Sequence, residues 1–258
     1  MMNKILIIWI LLLLNIQSSE KIIDKQNEQV KTQEFELVSG VSIRMIWVEP
    51  GTFTMGSPDD EIGRTSQRET QHKVKITKGY WLAETELTQE NWESVMGSNP
   101  SLNRGANLPV DKVSFDDIQE FLKKVNTNKD EFRLPTEAEW EYACRAGSEN
   151  DYSGNRDTMV WHIGNSGRKS HEVANKDPNA WGFYDMQGNI LEWCSDWLQE
   201  DTTKDSLDPK GPETGIYKVQ RGGQFTGRIK HTRAADRQRS LPGNRDFYVG
   251  FRLARSSD

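Results

Sequence analysis

Gly182-Phe-Tyr-Asp-Met-Gln-Gly-Asn-Ile-Leu-Glu-Trp-Cys-Ser-Asp-Trp197 joins a turn signal to a run dense in aromatic and oxygen-bearing side chains. Phe183, Tyr184, Trp193 and Trp197 can anchor a core, while Asp185, Asn189 and Glu192 carry ligand-type oxygens. Gly188-Asn189 readily takes positive φ, so the chain can reverse sharply there and free its carbonyls. Carboxylate, amide and carbonyl oxygens crowded on one tight loop suit a hard cation such as calcium. The same spacing also describes a β-hairpin turn between two core strands, with Asp185 and Glu192 merely capping.

Outside this stretch, composition narrows the class. The 258-residue chain carries a net charge of -6 with acidic and basic residues interspersed, so no basic stripe marks a nucleic-acid binder. Its nine Trp run from Trp9 to Trp197 without a fixed period. Met1 to Ser19 reads as a secretory signal peptide: Lys4 supplies the positive start, Ile5 to Leu14 the apolar run, and Asn15 to Ser19 small residues for cleavage. The run is short for a membrane span, so the expectation is a secreted or periplasmic chain with no span after cleavage. An uncleaved membrane anchor is the alternative. The two cysteines, Cys144 and Cys194, are too few for a disulfide scaffold; they can pair or stay free and buried.

Residues 20–37 are charged and Gln-rich and read as a linker, with a single domain over 38–255. Ile43 to Val48 reads as a strand ended by Pro50-Gly51, with Thr52 to Gly56 as its hairpin partner. Val74 to Thr77 and Tyr80 to Ala83 read as further strands. Thr88, Ser114 and Thr136 are positioned to cap three short helices, the last with a capping box to Glu139. Residues 147–179 show no period and read as a long ordered loop. Strand character returns at Val219 to Phe225, with a Gly222-Gly223 kink, and at Val249 to Ala254. Helices in the middle and strands at both ends indicate an irregular, loop-rich α+β domain.

Several of these blocks, in order, resemble the formylglycine-generating-enzyme (sulfatase-modifying factor) domain family. They are Met45 to Ser57, Glu84 to Gln89, Pro109 to Ser114, Arg133 to Tyr142, Gly182 to Asn189 with Glu192-Trp193, Arg221-Gly-Gly223 and Gly250-Phe-Arg252. The resemblance covers about residues 38 to 255 and implies an elaborated C-type-lectin-like fold. It also implies calcium, held by the Asp185 and Glu192 side chains and the carbonyls of Gly188 and Ile190. A second family site would use Asn165 and Ser166, although the loop that carries its acidic ligand is shortened here.

The family's founding activity is copper-dependent oxidation of a sulfatase cysteine to formylglycine, which needs two thiolates because Cu(I) prefers soft sulfur. Active members carry that pair shortly after Arg-Gly-Gly, but Gln224 to Arg237 contains no cysteine. Gly227 stands where the first would align. Gln224 replaces the Ser that follows Arg-Gly-Gly, and Leu191 the Trp that precedes Glu-Trp. Copper is therefore not expected. A related branch uses an iron site of three histidines in an added helical domain; His72, His162, His171 and His231 offer no such spacing. The reading is an exported, non-catalytic, calcium-stabilised binding or accessory module. The alternatives are a formylglycine-generating oxidoreductase and a structural component of a cell-envelope assembly. Its ligand face would be Gln224 to Tyr248, where Arg228, Lys230, His231, Arg233, Arg237, Arg239 and Arg245 mix with Phe225, Phe247 and Tyr248. Such a face suits a protein partner, an acidic peptide or an acidic glycan.

Overall fold

Alternation of apolar and polar residues builds most of the sheet framework. In the computed structural model, residues 30–65, 68–126, 132–200, 204 and 206–256 are described; the segment read as a signal peptide lies outside them. The strands are β1 (Thr32–Val38), β2 (Val41–Val48), β3 (Gly51–Met55), β4 (His72–Ile76), β5 (Tyr80–Ala83), β6 (Phe132–Arg133), β7 (Leu191–Trp197), β8 (Ser206–Leu207), β9 (Lys218–Arg221), β10 (Gln238–Ser240), β11 (Val249–Gly250) and β12 (Ala254–Ser256). The helices are α1 (Gln89–Met96), α2 (Phe115–Val125), α3 (Glu137–Arg145) and α4 (Arg156–Met159). Strand order is β1-β2-β5-β12-β6 in the largest sheet, β10-β9-β7-β11 in the second and β3-β4-β8 in the third. The architecture is α+β, as expected.

The five-stranded sheet separates two apolar clusters because successive strand residues point to opposite faces. Met45 of β2 and Trp81 and Ala83 of β5 join Trp92, Phe121 and Phe251 under α1 and α2. Ile46, Val48, Tyr80 and Leu82 face the other way, onto Trp140, Ala143 and Cys144 of α3. The helix starts fall where the sequence places them. Thr88, Ser114 and Thr136 each accept an N–H of their own first turn, and Asp117 and Glu139 close reciprocal capping boxes. Each cap is worth about 1 kcal/mol.

Three readings need correction. The segment read as linker contains β1, which pairs antiparallel with β2 and buries Phe35 and Leu37 between exposed Glu34 and Glu36. That alternation is a strand pattern, short but sufficient once β2 supplies an edge. Residues 52–56 also do not pair with β2. Pro50-Gly51 carries the chain into another sheet, where β3 pairs with β4. No hairpin encloses Gly188-Asn189 either: only β7 follows that turn, and residues 182–190 form no strand.

Candidate functional site

The turn before β7 is held open by positive φ at Asp185 (55°), Gly188 (96°) and Asn189 (56°). Gly188 is needed for space as well, since a Cβ there would stand 2.3 Å from the Trp161 carbonyl oxygen. Asn189 is fully buried and cross-links the site. Its Nδ2 donates to Glu86 Oε2 (2.8 Å), and its Oδ1 accepts from His171 N (3.0 Å). Glu86 Oε1 also accepts from Ile190 N at 3.2 Å.

Glu192, the first buried acid of β7, meets Arg252. The guanidinium donates to both carboxylate oxygens at 2.7 Å, and Trp140 Nε1 adds a bond to Oε2 at 2.8 Å. Arg252 spends its remaining donors on the carbonyls of Tyr184, Ala83 and Glu84. Asp185 accepts from Ala174 N through Oδ2 (2.8 Å), while its buried Oδ1 has no hydrogen-bond partner.

Glu86, Asp185 and Glu192 are thus three buried carboxylates beside one guanidinium. If all ionise, two negative charges remain uncompensated. Burial, followed by the charges of Asp185 and Glu192, pushes Glu86 well above the usual carboxylate range. Burial raises Asp185 to about 6, opposed by the Ala174 hydrogen bond and Arg252. Among the described residues, no three His, Cys, Asp or Glu side chains are arranged to hold a metal ion. The expected calcium set is different in kind, two carboxylates with the carbonyls of Gly188 and Ile190. The orphaned Asp185 oxygen fits a cation ligand, and Glu192 Oε1, which accepts one hydrogen bond, has a second lone pair to offer. Asn165 and Ser166 each carry hydrogen bonds of their own. Asn165 Oδ1 accepts from His162 N, Ser166 Oγ donates to the Phe225 carbonyl, and the Ser166 carbonyl accepts from His171 Nε2.

The segment after Arg221-Gly-Gly223 turns tightly at Gln224 to Gly227, where Gly227 N donates to the Gln224 carbonyl. Gly227 then accepts from Ile163 N, and Phe225 packs 6.2 Å from the half-exposed Phe247 ring. Leu191 is buried. The arginines expected on this face divide sharply. Arg233 is buried and ion-pairs with Glu61, Glu69 and Asp236, so it pins the loop between β3 and β4 rather than facing solvent. Arg237 is buried against Glu137 at 2.6 Å. These two do not belong to a ligand face. Arg239 is exposed but pairs with Glu200, and Arg245 pairs with Asp117 at 2.6 Å. His231 lies 3.6 Å from Asp236. Arg228 and Lys230 are exposed, and neither forms an ion pair among the described residues.

Both cysteines are free and buried in the α3 cluster. Burial pushes the Cys144 thiol up to about 12 and Cys194 well above its ordinary value. Neither is a ready thiolate donor.

Sequence reasoning assigned no role to Glu86 and Arg252, although both lie in motif blocks already noted. A buried Arg two residues after a strand glycine, Gly250-Phe-Arg252, was the available signal.

Comparison with known proteins gives a consistent picture. The family profile described as Sulfatase-modifying factor enzyme 1-like domain matches residues 34–257. The mouse formylglycine-generating enzyme is 29% identical over 204 residues, which span 71% of this chain and 53% of that protein. The chain therefore spans about half the length of that relative. Chaperone protein LppX of Paenibacillus barcinonensis is 28% identical over 245 residues, 73% of this chain and 81% of that protein. Among solved structures, Treponema denticola variable protein 1 superposes with a TM-score of 0.79 at 29% identity, covering 89% of this chain and 100% of that one.

Proposed function

Because the chain belongs to the sulfatase-modifying factor enzyme 1-like domain family over residues 34–257, we propose that it is a non-catalytic member, an exported and calcium-stabilised binding or accessory module. One observation carries this reading: the chain has only two cysteines, and both are buried with their thiols pushed up. Oxidation of a peptide cysteine on Cu(I) requires exposed, low-pKa thiolates, and no cysteine follows Arg221-Gly-Gly223. The names of the relatives, a formylglycine-generating enzyme and a chaperone, are compatible with one scaffold serving unlike ends. Export rests on the apolar N-terminal run.

Calcium would be held by Asp185, Glu192 and the carbonyls of Gly188 and Ile190. There it would favour the ionised form of Asp185 and fix the turn that presents Gln224 to Tyr248. That face, with Arg228 and Lys230 as its unpaired cations, would take an acidic partner.

The first test incubates the purified protein with Cu(I), oxygen and a sulfatase-motif cysteine peptide, beside an active family member. The expected peptide mass is unchanged; conversion of thiol to aldehyde would overturn the reading. The calcium part is tested by melting. At a hundredfold excess over Kd, calcium adds about 2.7 kcal/mol, or roughly 5–10 °C for a domain of this size. Asp185→Asn should lose that rise. An equal rise in wild type and variant would remove the ligand assignment.

A further inference from the structure

A second concavity lies at the opposite end of β9 from Gly222-Gly223, where Lys218 pairs with Ser240 of β10. It has a volume of about 790 Å³, within the range of small-ligand sites. Its floor is Tyr80, Phe115, Leu122, Leu134 and Trp197, and its walls carry Gln119, the Arg133–Glu139 pair, Lys78, Lys210 and Lys218.

Lys218 is the unusual member. It is only 6% exposed, yet it forms no ion pair among the described residues. Its ammonium lies 4.3 Å from the Phe115 ring centre and 4.1 Å from that of Trp197, and it donates to the Ser195 carbonyl at 2.6 Å. Lys78 and Lys210 stand exposed at the rim, also without ion pairs among the described residues. Two of the three acids of the cleft are hydrogen-bonded, Asp208 also lying in the field of Lys78 and Lys210, and the third, Glu213, is exposed. Glu139 binds Arg133 through both oxygens, and Asp208 accepts from Thr77 N and Oγ1. The cleft sets Arg133, Lys78, Lys210 and Lys218 against Glu139, Asp208 and Glu213, an excess of one positive charge on a chain of net charge -6.

The ligand chemistry follows from which donors remain. The two helix N-termini at the cleft, those of α2 and α3, are already satisfied. Ser114 and Asp117 close one, Thr136 and Glu139 the other, and Asp196 takes Glu137 N. A phosphate would find the capped amides of both helices already taken. What remains is lysine ammonium groups, planar amide and guanidinium donors, and an apolar floor with three aromatic side chains. Of Arg133's five N–H groups, Ser256, Leu134 and Glu139 take four, which leaves one for a ligand. A wholly apolar ligand would strand these polar groups without water.

We propose that this cleft binds a carboxylate-bearing sugar, the uronic acid unit of an acidic glycan. The carboxylate would meet Lys78 and Lys210, ring hydroxyls would meet Gln119 and Arg133, and ring C–H groups the aromatic floor.

The test is calorimetric titration of the full chain with tri-galacturonic acid in 50 mM salt, with galactotriose as the uncharged probe and free galacturonic acid as the monomer. The expected result is saturable binding of the trimer, at least tenfold tighter than galactotriose. The paired exposed substitutions Lys78→Glu and Lys210→Glu should weaken it at least tenfold, with unchanged circular dichroism, while Lys230→Glu on the other face should leave it intact. Binding of the monomer as tight as the trimer would locate recognition in one sugar unit and support the same site. The inference is overturned if the trimer does not bind, if galactotriose binds equally, if the paired Lys78→Glu and Lys210→Glu substitutions leave binding unchanged, or if Lys230→Glu abolishes binding as completely as the cleft variant.

Discussion

Replacing Arg252 by Met removes the one cation among three buried carboxylates and keeps the length of the side chain. In the wild type this guanidinium satisfies both oxygens of Glu192 and the carbonyls of Tyr184, Ala83 and Glu84, all from a position of zero exposure. Breaking a buried pair by removing one partner costs about 3–5 kcal/mol. Stranded carbonyls add to that, though not additively, so the expected loss is about 5 kcal/mol against a typical total of roughly 5–15. In urea, with a slope of about 2.5 kcal/mol per molar, the midpoint should fall by about 2 M. Tryptophan fluorescence is a direct probe, because Trp140 shares the same carboxylate. The double variant with Glu192→Gln should be less destabilised than the sum of the singles by about 2 kcal/mol or more, since the neutral amide no longer needs the cation. A midpoint shift below about 0.5 M, or additive single effects, would refute the view that this pair holds the turn.

Three further outcomes follow from other residues. Asp196 is buried, and desolvation together with Glu137 raises it to about 7, so its ionisation costs stability that is absent at low pH and fully felt above about 7. Asp196→Asn should therefore stabilise more at pH 8 than at pH 5, by about 2–3 kcal/mol on the difference of denaturation free energies. Equal effects at both pH values would show that the carboxyl is ionised throughout. Gly188→Ala places a Cβ against the Trp161 carbonyl and should cost about 3 kcal/mol or more, whereas Gly97→Ala, with nothing within 4 Å, should cost about 1, both read by thermal melting. Native protein treated with iodoacetamide should keep both Cys144 and Cys194 unmodified by mass until denaturant is added; rapid native alkylation would contradict their burial.

Much of the fold was legible because its causes are local. The caps at Ser114 and Thr136 act across three residues, and the alternation in β2 and β5 is visible in any window of five. The Gly188-Asn189 turn was read correctly as a reversal with positive φ, but a turn signal does not say whether a strand precedes it. The linker was misread because Phe35 and Leu37 are too few to overcome the charge around them, until β2 pairs with them. The family resemblance drew attention to Asp185 and Glu192 but not to what surrounds them.

What the sequence by itself determined is what short-range physics enforces: helix starts, strand faces, the glycine turn, and a two-cysteine chain without a thiol pair after Arg221-Gly-Gly223. What only the tertiary structure decided is where the charges meet. Arg252 reaches Glu192 across 60 positions, Asn189 reaches Glu86 across 103, and Arg233 reaches Glu69 across 164. No period or motif ties such pairs together. Which arginine is a buried strut and which is free to meet a ligand depends on the packing that brings its partner near, and on the cost of leaving a buried charge alone.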